Sequence, residues 1–184
     1  MKSIQKLLIA LTLVMGVVFT SNAQAPYKQG IGASVGNMQA LTYKVFGGNH
    51  FAFQLDLGTK FITTDGRFRN MNLTGVNVWT LELNPNFIFE GHFTKGLYGL
   101  VGIGGSIGYS WNTLEYSGPF GLFWHSRSDF GKCGANGILG LEYKFNAPVA
   151  LQFDFRPGYG CLFAEGYDFH YFDWSVNLGV RYTF

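Results

Sequence analysis

The sequence predicts an all-β protein, an eight-stranded antiparallel up-and-down barrel. Three observations carry this: apolar residues recur with period two in eight segments, the charges on those segments share one face, and connections alternate between short and long. Of the 184 residues, 47% are hydrophobic, 18% aromatic and only 13% charged, with 26 glycines. A disordered segment is excluded, and a charge-studded soluble globule is disfavoured. Thirteen Lys and Arg stand against eleven Asp and Glu, and Lys2 and Lys6 belong to a leader, so the remaining chain is neutral. A basic patch for nucleic acid is therefore not expected.

The leader comes first. Lys2 and Lys6 precede an apolar stretch over 7–20, and Ser-Asn-Ala-Gln-Ala follows at 21–25. This is the layout of a cleaved signal peptide, residues 1–25, with small residues that fit cleavage after Ala23 or after Ala25. The apolar run is shorter than the roughly 20 residues of a membrane-spanning helix. The barrel domain then occupies 26–184, with strands expected over 30–36, 41–46, 51–62, 79–93, 97–111, 135–145, 149–163 and 172–184. The last is the clearest: Phe172, Trp174, Val176, Leu178, Val180, Tyr182 and Phe184 alternate with Asp173, Ser175, Asn177, Gly179, Arg181 and Thr183. The seventh alternates as sharply over 149–163, and the fifth carries glycine and serine on its small face.

Charge placement says which face turns inward. The polar faces hold Lys44, Asp56, Lys60, Glu82, Glu90, Glu142, Lys144, Asp154, Arg156, Asp173 and Arg181, and the apolar faces hold no charge. A soluble barrel buries its apolar face, whereas a membrane barrel turns it to lipid and packs polar residues inside. Five cations and six carboxylates can neutralise one another in an eight-stranded lumen, which side chains fill, so an open pore is not expected. Aromatics gather at both ends of the apolar faces, Phe51, Phe93 and Tyr143 at one rim and Phe61, Trp79 and Trp111 at the other, as interfacial girdles do. Short connections at 47–49, 94–96 and 146–148 alternate with long ones at 63–78, 112–132 and 164–171, the first outer turn at 37–40 being short. Short periplasmic turns and long extracellular loops give this pattern in a transmembrane β-barrel. Thr94-Lys95-Gly96 further suits a three-residue hairpin with its glycine left-handed.

Over the whole chain after the leader, the architecture resembles the small eight-stranded outer-membrane barrels of the OmpA and OmpX type. The most specific element is the ending Val180-Arg181-Tyr182-Thr183-Phe184, similar to the terminal signature that such barrels offer to their assembly machinery. The resemblance implies residence in a Gram-negative outer membrane among lipid and lipopolysaccharide, with Tyr182 and Phe184 as the assembly signal. It extends to the barrel alone, so no peptidoglycan-binding domain is expected, and it brings no catalytic motif.

The two cysteines can be placed by register. Cys133 and Cys161 flank the turn at 146–148, and a three-residue turn sets Phe145 opposite Val149 and hence Cys133 opposite Cys161 near the outer rim. In an exported protein this favours a cross-strand disulfide over two small apolar fillers. Neither cysteine has a ligand at metal spacing and the four histidines are scattered, so no metal and no cofactor is expected. Trp124-His125-Ser126-Arg127-Ser128 sets a base beside hydroxyls, and a lipid A-modifying barrel hydrolase using His125 and Ser128 is the enzymatic alternative. Its His and Ser are one or three apart rather than on one strand face, so the enzyme reading is set aside. A soluble periplasmic ligand-binding barrel is the other alternative. The main expectation is a structural or surface-recognition role through aromatic outer loops, with Phe120, Phe123, Trp124, Tyr167, Phe169 and Tyr171 as contacts for an extracellular protein or glycan.

Overall fold

The computed structural model describes residues 25–68, 71–117, 123–164 and 167–184, with side chains described outside 62–78, 112–130 and 164–169. Eight antiparallel strands close in sequence order: β1 Gln29–Gly36, β2 Met38–Phe46, β3 Phe51–Phe68, β4 Met71–Thr94, β5 Leu97–Ser117, β6 Phe123–Lys144, β7 Val149–Ala164 and β8 Tyr167–Thr183. The seam joins β1 to β8, with Ile31 opposite Tyr182 and Ala33 opposite Val180. Reciprocal 2.9 Å backbone bonds between Gln29 and Phe184 finish it at the last residue. Closure leaves no free sheet edge along the shared height of the strands, a condition for crossing lipid with β-structure.

The alternation works as the sequence predicts. Outward positions are apolar and exposed, Leu41, Phe87, Ile103 and Phe172 among the most exposed, while inward positions bury Lys44, Gln54, Asp56, Glu82, Glu142 and Arg156. In water, an apolar surface this extensive would be an aggregation liability; against lipid it is the solvated side. Phe61, Trp79 and Trp111 stand side by side across β3, β4 and β5 at the outer girdle. The inward face is not uniformly polar, however. Ala52, Ile88, Leu100 and Ile138 form a small apolar seam against the β3 to β6 wall, with Phe46 packed on it.

Two prolines sit within strands, which ordinarily costs a ladder bond. Pro85 on β4 remains in register with Leu55 of β3, but the β4–β5 pairing skips Asn84 and Pro85. Pro157 on β7 pairs with Trp174 of β8, and the β6–β7 pairing skips it and Arg156. In each case the interruption falls on the ladder where the missing N–H would donate.

Four connections differ from the sequence expectation. The outer segments expected as long loops continue as paired strands: β3 and β4 stay in register to Phe68 opposite Met71, and β5 and β6 to Ser117 opposite Phe123. Likewise β7 and β8 pair to Ala164 opposite Tyr167. The hydrophobic alternation fades there because a hairpin beyond the membrane has no lipid face to pattern it. The first outer turn is shorter than expected, since β1 and β2 are separated by Asn37 alone. Above this short hairpin β3 and β8 meet directly, Arg67 opposite Asp168 and Phe68 opposite Tyr167, so the wall continues beyond the tip of β1 and β2.

The inner turn between β4 and β5 matches its sequence signal. Gly96 has φ of 78°, the left-handed region that glycine tolerates without cost. Gly96→Val is expected to lower stability by about 1–2 kcal/mol in denaturant titrations of barrel refolded into vesicles. Lys95→Val in the same turn serves as the control, expected within about 0.5 kcal/mol of the parent.

Candidate functional site

Three tiers of ion pairs fill the lumen. At the inner end, nearest the termini, Lys44 is held between Glu90 and Glu142, at 2.9 Å from Glu142 Oε2. Arg181 binds the same Glu142 oxygen at 2.8 Å and reaches the side-chain oxygens of Gln152 and Gln54, each at 3.1 Å. Its long side chain has room because it lies over Gly30 of β1, where a Cβ would collide with the Arg181 methylenes. Tyr27, just before β1, stops the inner mouth: it accepts a 3.2 Å hydrogen bond from Arg181 and packs edge-on against Phe46 at 5.1 Å. Burial first, and then the Glu142 charge, push its phenol far above the ordinary value, so it stays neutral.

The middle tier is a fork. Arg156 donates from Nη1 to Asp56 at 2.7 Å and from Nε to Asp154 at 2.6 Å. The remaining acceptor positions are served by amides: Gln54 and Asn86 donate to Asp56, and Gln152 and Asn177 to Asp154. Gln54 and Gln152 each touch both Arg181 and a middle-tier carboxylate, so the two tiers form one connected network. At the outer tier, Lys132 pairs with Glu82, which also accepts from Thr80 at 2.7 Å. Lys60 meets Asp173 at 2.5 Å. Between the middle and outer tiers lies a small cavity of about 30 Å³, bordered by Lys60, Glu82, Arg156 and Asp173.

Ten of the eleven charges that the sequence assigns to the interior lie in this network. The exception is Lys144, at the inner rim, whose Nζ donates to the carbonyls of Phe145 and Ala147 at 2.7 Å each. It is the last residue of β6, where the chain turns, so a long side chain reaches the turn carbonyls more readily than the lumen. Lys132 takes its place inside. Sequence reading missed it because it fell at the end of an expected loop, although its even number matches the inward parity of β6.

Tyr171 also differs from expectation. It turns into the barrel rather than outward, almost fully buried, with Lys132 Nζ 5.4 Å from its ring centroid and its hydroxyl lying over Gly160. The physical reason is parity: outward residues on β8 are even-numbered from Phe172 onward, and 171 falls on the inward set. The other aromatic contact candidates, Phe120, Phe123, Trp124, Tyr167 and Phe169, have side chains outside the described residues. The backbones of Phe123 and Trp124 pair with Ser117 and Tyr116, and that of Phe169 with Leu162. Cys133 and Cys161 are directly opposite, as the register argument predicts, with sulfurs 3.2 Å apart on the outward face.

Among solved structures the chain is similar to Neisserial surface protein A, with a TM-score of 0.55 and 14% identity over 85% of this chain and 93% of that one. It is also matched to the N-terminal β-barrel domain of Pseudomonas aeruginosa OprF, with a TM-score of 0.44 and 16% identity over 85% and 95%. The likeness to the first shows a shared fold, a small closed antiparallel β-barrel. No protein-family model and no curated protein matches the sequence.

The middle tier gives a direct test. Arg156→Met leaves Asp56 and Asp154 buried without their cation, and a loss of about 3–5 kcal/mol is expected in equilibrium urea unfolding from vesicles. Lys144→Met, at the rim, is expected to change stability by less than about 0.5 kcal/mol.

Proposed function

We propose that this chain is an integral outer-membrane protein of a Gram-negative bacterium, exported by the signal peptide at 1–25 and cleaved after Ala23 or Ala25. Its role is structural or recognition at the cell surface rather than transport or catalysis. The observation that carries this reading is the lumen, crossed among the described residues from Tyr27 to Tyr171 by tiers of paired side chains, with a small cavity of about 30 Å³ between the middle and outer tiers. Among the described residues, tiers of ion pairs spanning the lumen oppose passage of solute, so what the barrel presents to the outside is the set of extended hairpins. In that role the aromatics Phe120, Phe123, Trp124, Tyr167 and Phe169 supply contact area for an extracellular protein, a glycan or lipopolysaccharide.

The assembly signal is the strand end Tyr182 to Phe184, offered to the barrel-assembly machinery before Phe184 closes the seam against Gln29. The hydrolase alternative is disfavoured by the extension of β6. The backbones of His125 and Ser128 pair with Glu115 and Asn112 of β5 as part of that strand, rather than forming a free loop. The soluble-barrel alternative is disfavoured by the apolar exterior.

Two measurements test the reading. Refolded protein in planar bilayers is expected to give no discrete conductance steps; regular steps would make it a channel. A photo-reactive residue at Trp124 in intact cells is expected to yield a discrete protein or glycan adduct in the outer-membrane fraction. Adducts confined to lipopolysaccharide would reduce the role to a structural one, and recovery in the soluble fraction would overturn the membrane assignment.

A further inference from the structure

We infer that Cys133 and Cys161 are a modification site, oxidised to a cross-strand disulfide that staples β6 to β7 on the outward face at the outer end of the barrel. Three observations converge on it. The β6–β7 register sets the two residues directly opposite, between the pairs Lys132–Leu162 and Gly134–Gly160. Both side chains point outward, away from the ion network, and their sulfurs already lie 3.2 Å apart with Cys133 exposed. They are also the only two cysteines of the sequence, so no competing pairing exists within the chain. Directly opposed residues of an antiparallel pair have the Cα spacing that a disulfide spans without moving the backbone.

The chemistry requires an electron acceptor, and the class is a protein disulfide of the oxidising compartment outside the inner membrane. The Cys133 thiolate attacks that disulfide, forming a mixed disulfide and releasing one acceptor sulfur as a thiolate. The Cys161 thiolate then attacks Cys133 Sγ, forming the Cys133–Cys161 bond and breaking the mixed one, which frees the second acceptor sulfur. Two electrons and, in sum, two protons pass from the cysteines to the acceptor, which ends as a dithiol. The step belongs to the chain before insertion, when the hairpin is still reachable by a soluble oxidant. The product closes the loop containing the inner turn at 146–148 and fixes the register of a ladder already interrupted at Pro157, where slippage between β6 and β7 is least opposed.

The test uses wild-type protein recovered from the outer-membrane fraction, denatured in the presence of a thiol-alkylating reagent with and without prior reduction. Intact mass is then read. The expected result is no adduct without reduction, a mass lower by two hydrogens than the dithiol, and two adducts after reduction. Peptide mapping should link the segments bearing the two cysteines. Two adducts on unreduced protein would overturn the inference, as would a single adduct or a thiol capped by a small molecule. Because the sample is defined by its membrane fraction, failure of the location and failure of the disulfide are read separately.

Discussion

Among the described residues, five cations (Lys44, Lys60, Lys132, Arg156 and Arg181) share one narrow lumen with six carboxylates, and only closure of the wall gives each a partner. The pairs cross the barrel: Arg156 on β7 binds Asp56 on β3, Arg181 on β8 binds Glu142 on β6, and Lys44 on β2 binds Glu90 on β4. Opening any seam would separate strands that hold opposite ends of a buried ion pair. Breaking such a pair costs far more than the pair contributes relative to an apolar filler. The network therefore selects one register and one closure, while the lipid-facing side supplies the driving force for insertion.

That division explains why so much was legible in the sequence. Alternation is read wherever both faces have a distinct solvent, and within the membrane they do: strands 149–163 and 172–184 declare their outward side at every position. The short inner turns were legible because they use turn chemistry, Gly96 most plainly. What escaped reading lies where one of the two solvents changes. Beyond the outer girdle both faces of a hairpin are without lipid, so the extensions of β3 to β8 carried no period-two signal and read as loops. Lys132 and Tyr171 were misplaced for the same reason, each falling inside a segment assigned to a loop, although the strand parity was already sufficient to turn both inward. Lys144 shows the opposite error: parity points it inward, but a strand end is free to leave the face that its number assigns. The apolar seam of Ile88, Leu100 and Ile138 had no sequence signal apart from being apolar at inward positions.

The short β1–β2 hairpin shapes the outer end. Where it stops, β3 and β8 pair directly, so the wall above the membrane is built by the remaining strands alone. For the proposed surface role, a paired stem under the aromatic segments would limit the conformational freedom lost when a partner binds.

The claim on which all of this rests is the orientation of the two faces. A nitroxide scan along β4 in lipid vesicles, at the outward positions Trp79, Leu81, Leu83, Phe87 and Phe89, tests it most directly. Each label is expected to be reached by oxygen dissolved in the bilayer and shielded from a water-soluble nickel chelate, with shielding deepest near Leu83 and Phe87. Chelate access at those central positions would mean that the apolar face is not in lipid, and the account of fold, network and function would fail together.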